Sequence, residues 1–204
     1  MRTLVLGLGN PIVRDDAVGI RLAEAARERL GGREDLDWLP ECSTGGLDLL
    51  EHLRGYERLV VFDSIRSGGR AGEWHLFDAR ALRESVHLDS LHDANFATAL
   101  ELGRALGQPL PADERIHIFA VEIVENEDFG EAFSPQLAAA WPALREEVLA
   151  EAQRLLEALR EEDAWDGAGA DSVPAVARAV GRDINTRGDS GRRARAAAEH
   201  PQFP

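Results

Sequence analysis

The sequence predicts an α/β chain of three layers, with helices on both faces of a twisted, mostly parallel sheet. Short apolar runs alternate with segments of helical periodicity, the order expected when each strand is followed by a crossover helix. Leu59, Val60, Val61 and Phe62 are apolar at consecutive positions, as in a strand covered on both faces. The first apolar run also ends in a glycine-rich turn that opens into a helix.

Taken in order, residues 2–8 form the first strand, followed by a turn through Gly7, Gly9, Asn10 and Pro11. From Asp16 onward, Val18, Ile20, Leu22, Ala25, Ala26 and Leu30 line one side of a helix, which Gly31 and Gly32 stop. A second strand covers Asp37 to Pro40. Ser43, Thr44, Gly45 and Gly46 make a loop before a short leucine-rich helix over 47–53. The strand at 59–62 is expected to end at Asp63. A tight turn over 67–72 then leads to Glu73–Phe77, whose mixed pattern suits a sheet edge. Residues 92–107 return to helix, Ile116–Ile123 is a further strand, and Ser134 to about Glu161 is a long closing helix. Pro142 lies within that span and is expected to mark its first turn or a kink, because proline has no N–H to donate.

The chain of 204 residues suffices for one domain with a sizeable core. The apolar periodicity fades after Glu162, so residues 1–162 read as the folded domain and 163–204 as a flexible C-terminal tail. The six acids and six arginines of that tail cancel, which leaves the formal net charge of −14 with residues 1–162. Such a charge argues against binding to nucleic acid or to an anionic membrane surface. No apolar stretch reaches the roughly 20 residues of a spanning helix. A single cysteine, Cys42, excludes an internal disulfide framework. The expected compartment is the cytoplasm. There is no lysine, hence no Schiff-base or P-loop lysine.

The turn at Gly7-Leu8-Gly9 invites comparison with a dinucleotide loop, in which a third glycine allows close packing and the helix N-terminus receives pyrophosphate. Here Ile12 holds the third glycine position, and Asp15 and Asp16 would repel the phosphates where the helix begins. Glu41, placed somewhat like a ribose-binding acid, keeps that alternative in view. Asp16 and Asp63 follow two strands expected to be parallel, and His92 opens a later helix, so all three can meet at one sheet edge. Two carboxylates and an imidazole suit a borderline transition metal such as nickel, zinc or manganese. Each also has a local role open to it: Asp16 as a helix-start acid, Asp63 as an acceptor for loop amides, and His92 as a partly exposed helix-start residue.

Several segments, in their order and at their intervals, resemble the nickel–iron hydrogenase maturation endopeptidases. They are Leu6-Gly7-Leu8-Gly9-Asn10-Pro11, then Asp15 through Arg21, Thr44-Gly45-Gly46, Val60-Val61-Phe62-Asp63, and Ser90-Leu91-His92. The likeness spans about residues 1–160. It implies a metal-recognition trio of Asp16, Asp63 and His92, the first of which is Glu in some relatives. It also implies a substrate, the large-subunit precursor of a [NiFe]-hydrogenase, already carrying nickel, from which a short C-terminal extension is removed.

Metal-assisted hydrolysis is the expected mechanism, with Asp15 as a candidate to orient water and Cys42 as a lesser candidate nucleophile. Ser64 shows no nucleophile elbow. Gly7, Gly9, Gly45 and Gly46 are expected to let substrate approach the backbone. A chaperone that binds the nickel-loaded precursor without cutting it is the principal non-enzymatic alternative.

Overall fold

In the computed structural model, which describes residues 1–43, 47–84, 91–124 and 128–166 (without the side chains of 47, 82–84, 91–95 and 166), all six residues of β1 (Thr3–Leu8) are buried. β1 is an inner strand of a five-stranded sheet ordered β2-β1-β3-β5-β4, with β2 at Leu36–Cys42, β3 at Arg58–Ile65, β4 at Trp74–Asp78 and β5 at Ile116–Glu122. β1, β2, β3 and β5 run parallel, and β4 closes one edge antiparallel to β5. The mixed pattern of Glu73–Phe77 therefore belongs to an edge, as expected.

The alternation of the strands divides the core in two. On one face Val5, Val60, Phe62 and Phe119 pack against Val18, Leu22 and Ala26 of α1 (Val18–Leu30) and against Leu137, Leu144 and Val148 of α5 (Pro135–Asp166). On the other, Leu4, Leu6, Leu59, Val61 and Ile118 meet Leu49 and Leu53 of α2 (Leu47–Leu53) and Phe96 and Leu100 of α4 (Leu91–Ala105). The Phe62 and Phe119 rings stack at 5.2 Å between centroids, which ties β3 to β5 on the first face. This is the three-layer α/β/α arrangement.

The structure corrects several local expectations. β3 continues past Asp63, because Asp63, Ser64 and Ile65 pair with Ala120, Val121 and Glu122 of β5. β2 extends to Cys42. It tolerates Pro40 because it is an edge strand and because Pro40 and Glu41 together face Gly7 in a bulge. A short helix, α3 (Ala79–Glu84), was not foreseen; Asp78 caps it by accepting the Ala81 N–H at 2.8 Å. Pro142 stands two turns inside α5 rather than in its first turn, on the solvent side, where the carbonyl deprived of a partner meets water. The expected loop at 44–46 and the segment 85–90 lie outside the described residues, as does everything after 166. Among the described residues no helix is long and apolar enough to cross a membrane.

Gly7 and Gly9 serve the chain's own packing. A Cβ on Gly7 would stand 2.5 Å from the Pro40 carbonyl oxygen and 2.6 Å from that of Gly19. Gly9 has φ +138° and lies where a Cβ would be 2.1 Å from the Asp16 carbonyl oxygen. Both glycines let α1 and its lead-in press onto the sheet.

At the amino end of the strands, His117 of β5 has its Nε2 buried without a hydrogen-bond partner. Burial pushes its pKa down from 6.5 to about 4; Arg58 acts in the same direction and Asp78 against it. A depressed histidine pKa means the unfolded chain takes up the proton first. The stability His117 permits is therefore complete above about pH 6.5 and declines as pH falls toward 4, by about 2–3 kcal/mol. Denaturant titrations of wild type and His117→Gln at pH 7.5 and 4.5 should show a smaller acid loss in the variant. An equal loss would assign the acid sensitivity to other groups.

Candidate functional site

The strand order reverses between β1 and β3, since β1 leads through α1 to β2 on one side while β3 lies on the other. In an open α/β sheet the crevice forms beyond the carboxyl ends at such a point. Asp16 lies in the single 3₁₀ turn (Arg14–Ala17) that follows β1, and Asp63 lies near the end of β3. Both flank the reversal, and both are buried, at 3% and 2% exposure.

Residue 64 joins them. The Asp16 Oδ1 accepts the Ser64 hydroxyl at 2.8 Å, and its Oδ2 accepts the Asn10 N–H at 2.8 Å. The Asp63 Oδ1 accepts the Ser64 N–H at 2.8 Å. Asp16 thus takes the loop amide that a dinucleotide phosphate would need, which removes the physical basis of that alternative. Charge-assisted bonds of this kind offset the cost of burying a carboxylate and fix its direction.

His92 is the second residue of α4. That helix feeds β5, so its C-terminal end lies near the amino end of the parallel strands. Fifteen residues of helix span roughly 22 Å, which carries its first turn back toward the carboxyl end. The His92 side chain lies outside the described residues. Among the described residues no three His, Cys, Asp or Glu side chains form a group able to hold a metal ion.

Asp15 is not a water-activating base. It is fully buried, its Oδ1 accepts the Ser134 N–H at 2.6 Å and its Oδ2 accepts the Ser134 hydroxyl at 2.7 Å. Ser134 in turn accepts the Leu137 N–H at 3.3 Å, capping α5 with Pro135 at the first helical position. Cys42 is buried among Leu4, Leu6 and Leu49, a packing position rather than an attacking one. The chain after β1 is also clipped to the segment after β5. Gly130 accepts the Arg14 N–H at 3.0 Å and donates to the Ile12 carbonyl at 2.9 Å.

The model of the hydrogenase maturation protease family HycI matches residues 20–151, more than half of the chain. This chain belongs to the hydrogenase maturation protease family. The hydrogenase expression/formation protein HoxM of Azotobacter vinelandii is 31% identical over 166 residues, which cover 79% of this chain and 78% of that relative. HupD of Thiocapsa roseopersicina is 29% identical over 136 residues, and the match spans 66% of this chain and 60% of that protein's length. The hydrogenase maturating endopeptidase HybD from E. coli superposes with a TM-score of 0.59 at 26% identity, covering 76% of this chain and 93% of that one. Asp63 and His92 fall inside the stretch matched by the family model, and Asp16 just before it.

The roles of two polar residues of the rim, Glu122 and Ser64, were not legible in the sequence. Glu122, fully buried at the end of β5, accepts the Ser67 N–H at 3.1 Å together with the Ser67 hydroxyl, and so fastens the loop after β3. An acid inside the run Ala120-Val121-Glu122-Ile123 was its only signal. Ser64 gave no signal beyond its adjacency to Asp63.

Proposed function

We propose that the chain is a cytoplasmic, metal-dependent endopeptidase that removes the C-terminal extension of a nickel-loaded [NiFe]-hydrogenase large-subunit precursor. Residues 1–162 carry the activity and 163–204 are an appendage. Asp16, Asp63 and His92 contact the nickel that arrives within the substrate and leave a position open for water or the scissile carbonyl. The observation that carries this reading is the pair of buried carboxylates meeting at Ser64, on the carboxyl rim where the strand order reverses. Family membership supports the peptidase chemistry. Three ligands suit recognition of a metal that the precursor already holds, whereas a closed, preformed site would compete for it.

The test uses purified enzyme and nickel-loaded precursor followed by intact mass. Loss of a defined C-terminal peptide is the expected result. Stable binding with unchanged precursor mass, under conditions where an independent maturation enzyme cuts, would replace the peptidase with an assembly chaperone.

A further inference from the structure

We infer that Ser64 is a positioning residue that sets the direction of both candidate carboxylates, an inference that rests on the metal-contacting roles proposed for Asp16 and Asp63. Its two donors go to different partners. The backbone N–H reaches Asp63 Oδ1 and the hydroxyl reaches Asp16 Oδ1, each at 2.8 Å. Successive side chains of a strand project to opposite faces, so Asp63 and Ser64 leave β3 in opposite directions. Asp63 folds back onto the amide of its neighbour while Asp16 descends from the 3₁₀ turn onto the hydroxyl. One residue therefore fixes a carboxylate that belongs to its own strand and another that lies 48 positions earlier.

Both bonds lie in the interior, with Ser64 itself 2% exposed. Water is not at hand to replace a donor that is removed, which makes the hydroxyl's contribution larger than at a surface. Its chemical effect has two parts. Together with the Asn10 amide it brings a donor to each Asp16 oxygen, which holds the plane of the carboxylate. Donation also draws electron density from the carboxylate, so the site engages a metal without the grip of an unencumbered anion. Partners of ligating carboxylates act in this way at metal sites, and their removal typically costs about 10–100-fold in affinity or activity.

Ser64→Ala removes the hydroxyl alone and leaves the Asp63 bond to the backbone. With nickel-loaded precursor, kcat should fall by about 10–100-fold while KM stays within about threefold, because the loss concerns orientation and not docking. Ser64→Thr, which restores the donor, should recover most of kcat. Thermal unfolding should show Ser64→Ala less stable than wild type, since the buried Asp16 carboxylate loses a donor, yet folded at the assay temperature. Ser64→Cys, a near-isostere with a weak donor, takes the place of the Ala variant if that one unfolds. A structural role alone would move stability and not kcat in the folded population. Wild-type kcat in folded Ser64→Ala, with Asp16→Asn inactive, would overturn the positioning role and leave the trio standing. Full activity in Asp16→Asn would overturn the trio and this inference together.

Discussion

Matched folded precursors that differ only in nickel occupancy should be processed at rates differing by at least about 100-fold, the equivalent of nearly 3 kcal/mol of transition-state stabilisation. The rim supplies two buried carboxylates joined through Ser64. Under the proposed reading His92 completes the trio and the substrate's metal completes the recognition site. Changes in the extension away from the scissile bond should matter less than the state of the metal. Intact-mass kinetics on precursors of measured nickel content decide the matter. Equal rates with and without nickel would sink metal recognition and leave a metal-independent peptidase. Free nickel added to empty precursor is a poorer comparison, since it binds histidine and carboxylate groups elsewhere.

The second large effect is expected at the trio itself. His92→Ala should abolish processing with circular dichroism unchanged, because a residue in the first turn of α4 lies before Phe96 and Leu100, which hold that helix to the core. Asp63→Asn makes a narrower cut. The amide oxygen of Asn still accepts the Ser64 N–H, so the fold survives while the charge is lost, and the rate should drop by about 100-fold or more. Near-wild-type processing by folded His92→Ala would take the imidazole out of the mechanism. The same result for Asp63→Asn would remove the need for its charge.

Periodicity alone placed the sheet, because strand segments such as Leu59–Phe62 and Ile118–Val121 are covered on both faces and read as continuous apolar runs. Asp63 was legible for a related reason: an acid adjoining such a run is costly to bury and stays only where specific donors meet it. Asp16 stood out only by following the first strand. Hydrogen bonds between distant segments were not legible. Asp15 and Asp16 are adjacent and chemically identical, yet one caps α5 through Ser134 while the other turns to Ser64. Only the fold distinguishes them. The same holds for Gly7 and Gly9, whose spacing suggested an approach for a ligand, while the room they make for α1 and the chain leading into it shows only in the fold. The end of β3 was misplaced at Asp63 because a carboxylate reads as a strand terminator, whereas here it is satisfied by the amide of the next residue.

The clasp between Asp15 and Ser134 joins positions 119 residues apart. The turn that presents Asp16 is thus tied to the start of α5, which follows every strand of the described sheet. A nascent chain with β1 to β5 already outside the ribosome still lacks this fastening. Contacts of such long separation form late, since the intervening chain must close first. The rim is consequently finished only once Ser134 has been made, and a chain broken off before α5 would carry Asp16 and Asp63 in its sequence without the brace that steadies the turn bearing Asp16.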